Sequence, residues 1–430
     1  MKIKTRRLGV ALAAATATVA LSGIGAGGAQ AALPGHCLGA NITAQGSSLQ
    51  GAAQDIWTGA VGGGGFNVSA SGCNTAPNKP TVAYDRSSSG SCLGGLGANG
   101  GAVSTTYPFC GTDDAPNATQ IANVTTTTGG QALSIPVAQA AIAIVVSPPT
   151  GCTISTLTPA QVESVFRGAT TSWTTLNAAC SGTINVVTRN DSSGTTYQLK
   201  HYLTTVNSGA VSGTSTWADL QSPANNTVWP GAVTKSQSGC ASAMALPCSG
   251  GAGSGSGGGD EVRTVGAAGS SIGYAALSDA RSVYAAQGGV SGTWPNLSWT
   301  NIRTGTTTTP NPSTNGVSAT KAQSNCPTAN NSYSPLPASG ATGDWSGTYR
   351  ANAGSAYPLC TLTWDLALSN YTAATWGGSS ANIAQTVKDY LGYAVSAAGQ
   401  SDALSSSNDY QALPTDVLTT ASTGVGEITG

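Results

Sequence analysis

The sequence predicts an α/β fold divided into two lobes, on three observations. Short apolar runs alternate with segments that carry helix-start signals, as strands do when interleaved with helices. Several of the junctions are Ser/Gly turns, which put hydroxyls and backbone N–H groups at the start of a helix. About 400 residues follow an N-terminal export-type segment, too many for a single hydrophobic core.

Residues 1–31 read as a signal peptide. Lys2, Lys4, Arg6 and Arg7 form a positive start, Leu8 to Ile24 is rich in Ala, Val and Leu, and Ala29-Gln30-Ala31 fits the small-x-small cleavage rule. The mature chain then begins near Ala32. Cys37 lacks the small apolar residues that precede a lipid-attachment site, so no lipid anchor is expected. The later run Ile135 to Val146 is too short to span a membrane and carries Gln139. The expected location is periplasmic or extracellular.

All ten cysteines lie beyond this segment, which points to an oxidising compartment and up to five disulfides. Cys152–Cys180 and Cys240–Cys248 are candidate local pairs, although spacing alone does not fix connectivity. Zinc is the competing use of cysteine, but there is no C-x-x-C and the only histidines are His36 and His201. No metal or cofactor is expected. Removing the signal leaves twelve basic residues against seventeen acidic, a net charge of −5. A chain with that balance has no general field for nucleic acid or anionic lipid, so any anion must be held by a local set of donors.

In chain order, Ala40–Ala44 reads as a strand, Gln45-Gly46-Ser47-Ser48-Leu49 as a turn and Gln50–Trp57 as a helix. Tyr84-Asp85-Arg86-Ser87-Ser88-Ser89-Gly90-Ser91 is a second such turn. Phe109-Cys110-Gly111-Thr112-Asp113-Asp114-Ala115-Pro116 ends a strand in carboxylates, and Ala138–Val146 is a buried strand. Thr158-Pro159-Ala160-Gln161 is a capping box with proline at the first helical position; Val162, Val165 and Phe166 give the helix an apolar face, and Gly168 stops it. Ile184–Val187 is a strand leading into Arg189-Asn190-Asp191-Ser192-Ser193-Gly194-Thr195-Thr196, with a helix from Tyr197. Segment 249–259 reads as a Gly/Ser linker, 303–355 as an irregular insertion, and Leu359–Leu368 as a further strand.

The Arg189–Thr196 turn carries the most chemistry. Its hydroxyls and N–H groups are all donors at the positive end of a helix dipole, and Arg189 adds a planar fork. Such a cluster suits a compact tetrahedral oxyanion. Alone, it is equally an ordinary capped helix.

The four turns together, in this order, resemble the PstS-like phosphate-binding proteins of ABC importers, whose segments read G-A-[TS]-F, Y-x-x-x-G-S-G-x-G, F-G-A-S-D-A-P and R-x-D-G-S-G-T. Leu157–Trp173, Ser271-Ile272-Gly273-Tyr274, Ala356-Tyr357-Pro358-Leu359 and Tyr410-Gln411-Ala412-Leu413-Pro414 extend the likeness over most of the mature chain. The resemblance implies a periplasmic-binding-protein (Venus-flytrap) fold with two crossover hinge strands, near 135–146 and 357–368. Residues 32–135 and 369–430 would form lobe I and 136–368 lobe II, with insertions about 230–260 and 300–355.

It also implies a monomer that is not an enzyme and that captures inorganic phosphate for an ABC permease/ATPase complex. In the site it implies, Ser48 gives its hydroxyl and Leu49 its N–H, Ser89 gives its hydroxyl, Arg189 pairs with two phosphate oxygens, and Ser193, Gly194 and Thr195 cap the anion. Asp191 holds Arg189 in place. Asp114 accepts the proton that phosphate keeps and sulfate lacks, while Asp113 is a solvated or structural neighbour. Asp114 could also cap the next helix. Ser88 and Ser192 stand where the family has glycine.

Three other expectations compete. A secreted phosphatase would need His201 as a base for Ser193, but there is no H-E-x-x-H or P-loop, and His201 reads as a solvent-facing or packing residue. A PstS-like scaffold could serve adhesion or the extracellular matrix. The site could also take another oxyanion, such as sulfate, arsenate or molybdate.

Overall fold

The computed structural model describes residues 33–429 except 63, 223, 237–256, 287–292, 294–295, 298, 301–306, 351–354, 403 and 405–407. The signal-peptide segment, Cys240, Cys248 and most of 249–259 lie outside the described residues. Among those described, nine strands form the main sheet: β1 (Ile42–Gly46), β2 (Val82–Arg86), β3 (Cys110–Thr112), β4 (Ala132–Ser147), β5 (Asn185–Thr188), β6 (Thr234–Lys235), β7 (Ser271–Ala276), β8 (Cys360–Leu368) and β9 (Tyr410–Gln411). Their order is β2-β1-β3-β8-β4-β7-β5-β6, and β9 also pairs with β4.

β2, β1 and β3 are parallel, as are β7, β5 and β6. Two antiparallel strands join these groups. β4 pairs with β8 from Ala132 to Ala141 and with β7 from Ile142 to Ser147, so a single strand passes from one group to the other. β4 and β8 coincide with the apolar runs given the crossover role. All of β4 except Ser147 is buried, which is why it reads as a continuous apolar run rather than an alternating one. Pro136, which has no N–H to give a ladder, sits where the β4–β8 register shifts and Val137 is bulged out. Gln139 is fully buried but satisfied: its amide donates to the Ala412 carbonyl at 2.5 Å and accepts from the Tyr333 hydroxyl at 2.8 Å.

The longer helices are α1 (Gly51–Thr58), α2 (Ser89–Gly95), α3 (Ala118–Thr128), α4 (Pro159–Phe166), α5 (Gly194–Val206), α6 (Gly258–Ala268), α7 (Leu277–Ala286), α8 (Ser380–Ala394) and α9 (Thr415–Gly426). The capping box of α4 is present in both directions, Thr158 Oγ1 accepting from Gln161 N–H and Gln161 Oε1 from Thr158 N–H. α6 departs from the linker expected over 249–259, because Gly258 and Gly259 are its first residues.

A chain this poor in charge covers its helices with self-satisfied hydroxyls. Thr125, Thr126, Thr127 and Thr128 each bond the carbonyl four residues back in α3. Among the described residues four disulfides add covalent support: Cys37–Cys73, Cys92–Cys110, Cys152–Cys180 and Cys326–Cys360. The second ties α2 to β3, and the last fastens the 303–355 insertion to β8. Among the described residues no helix is long and apolar enough to cross a membrane.

Candidate functional site

The chain leaves β5 at Thr188 and turns into α5 through residues that are nearly all buried. Arg189 is only 2% exposed, and Asp191 grips one edge of its guanidinium with two bonds, Nε to Oδ1 at 2.8 Å and Nη2 to Oδ2 at 2.6 Å. That pairing fixes the plane of the fork and holds the arginine cationic. Ser193 is the N-cap, its Oγ accepting from Thr196 N–H. Asn226 clamps the same serine from outside: its Oδ1 accepts Ser193 N–H at 2.9 Å, and its Nδ2 donates to the Ser193 carbonyl at 3.2 Å. The buried Lys200 ammonium in turn holds the Asn226 loop by donating to the carbonyls of Leu220, Asn226 and Val228. Tyr274 lies beneath the turn. Its hydroxyl is 2.6 Å from Thr196 Oγ1 and accepts Arg189 N–H, and its own N–H donates to Glu261.

The opposite wall comes from three turns of the other strand group. Gly46 has φ +145°, and a Cβ there would collide with the Gly111 backbone; glycine is what lets β1 and β3 come so close. Ser47 then bends back, donating to Asp113 Oδ2 at 2.5 Å and accepting Leu49 N–H at 3.0 Å. Ser88 caps α2 in extended geometry, and Ser89 Oγ accepts Asp113 N–H at 3.0 Å.

The two walls touch at four points. Gly90 N–H donates to the Ser192 carbonyl at 3.2 Å, Gln198 Nε2 to the Asp113 carbonyl at 2.7 Å, and Gly258 N–H to Ser48 Oγ at 3.3 Å. Gly194 makes the fourth, where a Cβ would overlap Ser89 Oγ and stand 2.8 Å from Asp113 Cβ. Ser48, Leu49, Ser89, Arg189, Ser193, Gly194 and Thr195 are thus gathered from segments up to about 150 residues apart. A serine at 88 is no obstacle, since Gly90 makes the close approach at that turn.

The two adjacent aspartates have different surroundings. Asp113 is 1% exposed, not solvated; its Oδ1 accepts from Thr363 at 2.8 Å and its Oδ2 from Ser47. Burial pushes its carboxyl up to about 6, against the pull of those two bonds and of the Arg189 charge. Asp114 is pushed up to about 8 by burial and by Asp113, its backbone is closed into a small turn with Thr112 Oγ1, and its charge reaches Tyr197. Asp113 shares a field with Arg189 and abuts Ser89 and Gly194, while the charge of Asp114 reaches Tyr197 on α5. Asp114 does not cap α3, because Asn117 does so with Gln120 as its capping-box partner.

Glu261 and Asp279 are buried acids near Arg189 that sequence reasoning missed. Burial raises both, and the Arg189 charge opposes the rise in each. Glu261 lay hidden because the Gly-rich run was extended over the start of α6; acidic residues in the first turn, Asp260 and Glu261, were the available signal. With Asp113, Asp191, Glu261 and Asp279 around one arginine, attraction for an anion comes from aimed N–H and O–H dipoles rather than net positive charge. His201 lies about 12 Å along α5 from Ser193, with its ring against Tyr349, so it is a packing residue and no base for that serine.

A family model described as "PBP superfamily domain" matches residues 70–398. No curated protein matches the chain significantly in sequence. Solved structures similar to it include a human phosphate binding apolipoprotein (18% identity, TM-score 0.56, covering 88% of this chain and 93% of that one). Others are a phosphate binding protein from Stenotrophomonas maltophilia (16%, 0.53, 89% and 93%) and PfluDING, a high affinity periplasmic phosphate-binding protein bound with phosphate (18%, 0.52, 88% and 92%). At such identities the likeness is one of fold.

Proposed function

We propose that this chain, which belongs to the PBP superfamily, captures inorganic phosphate outside the cytoplasmic membrane and presents it to an ABC importer. One observation carries the reading: donor-bearing turns from both strand groups meet at Ser89, Gly194 and Ser48, with the buried Arg189 beside them. The signal-like N-terminus and the disulfides favour an exported protein, and the phosphate-binding proteins of similar fold favour the ligand.

Phosphate would take the hydroxyls of Ser48, Ser89, Ser193 and Thr195, the N–H groups of Leu49, Gly194 and Thr195, and the guanidinium of Arg189. Leu49 N–H would exchange its bond to Ser47 for one to the anion. Asp113 takes over the proton-reading role first given to Asp114. Each of its oxygens already accepts one bond, which leaves each a second lone pair for the proton that phosphate retains near neutral pH. Sulfate has no proton to offer, and a buried acceptor left unmatched costs about 1–3 kcal/mol, more when charged.

The test is calorimetric titration of the mature protein, freed of bound anion, with phosphate and with sulfate as competitor. Micromolar or tighter phosphate binding is expected. Asp113→Asn should lose discrimination against sulfate, and Asp114→Asn should keep it. Absence of phosphate binding at micromolar concentration would end the reading; equal effects of the two substitutions would remove Asp113 from its role.

A further inference from the structure

Behind the oxyanion cluster lies a cavity of about 220 Å³, between the outer half of α5, the Tyr333–Arg350 hairpin of the insertion and the start of β8. We propose that it is a second binding site, for a small molecule with an apolar body and one carboxylate. The size suits such a ligand, since a cavity of about 150 Å³ already holds benzene. Leu359, Leu362 and the rings of Tyr333 and Tyr349 give it apolar walls. Among the described residues no acidic side chain lines it, whereas the Arg350 guanidinium does; it donates to the Tyr357 carbonyl, and its charge reaches Tyr202 and Tyr333.

The hydrogen bonding of the lining is uneven. Tyr333 donates its hydroxyl to Gln139, and Thr348 and Thr361 give theirs to backbone carbonyls. The Tyr202 hydroxyl, on a side chain more than nine-tenths buried, has no partner among the described residues, and neither has His201 Nδ1 one helical position away. A buried hydroxyl without an acceptor is costly, and a carboxylate placed between Tyr202 and Arg350 would satisfy it and add a charge-assisted bond to the guanidinium. Gln198 separates this cavity from the oxyanion cluster, lining the one while bonding the Asp113 carbonyl in the other.

The probe is benzoate, titrated by calorimetry into the mature protein with phosphate saturating, and benzamidine serves as the cationic analogue. Saturable benzoate binding with a dissociation constant on the order of 1 mM or tighter is expected, with none for benzamidine. Tyr202→Phe should weaken benzoate about tenfold, the loss of one hydrogen bond to a charged group. Thr205→Phe, which fills the cavity from α5, should abolish it and leave the phosphate affinity unchanged. Failure to saturate, equal binding of benzamidine, unaltered affinity in Tyr202→Phe, or displacement of benzoate by phosphate would each overturn the assignment.

Discussion

Gly194→Ala separates closure of the cleft from folding of the lobes. The new Cβ would overlap Ser89 Oγ and stand 2.8 Å from Asp113 Cβ and 2.9 Å from its carbonyl carbon. Carbon pairs prefer about 3.5–4.0 Å. Ser89 can turn its hydroxyl aside, but Cβ and carbonyl carbon move only with the backbone. Overpacking of this kind costs about 1–3 kcal/mol, and it is felt only where the walls meet. That corresponds to roughly five- to 150-fold weaker phosphate binding. A ligand-free form with the walls apart would be relieved of the clash, and alanine is a better helix former than glycine by up to about 1 kcal/mol. The ligand-free protein should therefore melt at the same temperature as wild type or slightly higher. Titration calorimetry and thermal unfolding without phosphate read the two effects. A phosphate affinity within about twofold of wild type would refute the role of this contact in binding. A large drop in ligand-free Tm would show that Gly194 is needed for α5 itself.

Asn226→Ala strips both partners from the Ser193 backbone, leaving a buried donor and acceptor open at about 1–3 kcal/mol; melting temperature and phosphate affinity should fall together, and an unchanged affinity would reduce the clamp to a loop tether. Breaking Cys92–Cys110, as the double alanine variant, frees α2 from β3 behind Ser89 and Asp113 and should cost about 3 kcal/mol, seen as a lower denaturant midpoint; an unmoved midpoint would refute it. Burial pushes the Asp365 carboxyl up to about 8, against the hydrogen bonds from Gln54 and Gln50, so the native state holds this proton more tightly than the unfolded chain does. Its contribution is complete below about pH 4 and is lost as pH rises through about 8. Asp365→Asn should gain Tm relative to wild type between about pH 5 and pH 8, and parallel Tm profiles would exclude that linkage.

Much of the local framework was legible because its causes are local. The α4 capping box sits within four residues, and the continuous apolar run of β4 reports burial on both faces. The donors of the Arg189–Thr196 turn follow from serine, glycine and threonine at a strand-to-helix junction. Elements with weak local signals were lost. Helix α6 begins in glycine, the poorest helix former after proline, and its N-terminus is placed by contact with Ser48, some 210 residues away. Asn226 has no motif at all, because its role depends on a loop held by Lys200.

The sequence by itself determined the strand-and-helix alternation, the turns that carry oxyanion donors, and the presence of two carboxyls after β3. Only the tertiary structure decided what surrounds each of them. The chain bends after β3, closed by Thr112 Oγ1 on the Asp114 backbone, and the bend parts Asp113, bound to Ser47 and Thr363 in the field of Arg189, from Asp114 beside Tyr197. The partners that hold Asp113, Ser47 at the end of β1 and Thr363 in β8, lie about 70 residues before it and 250 after it in the chain. Spacing along the sequence carries no information about contacts at that distance; the pairing of the strands does.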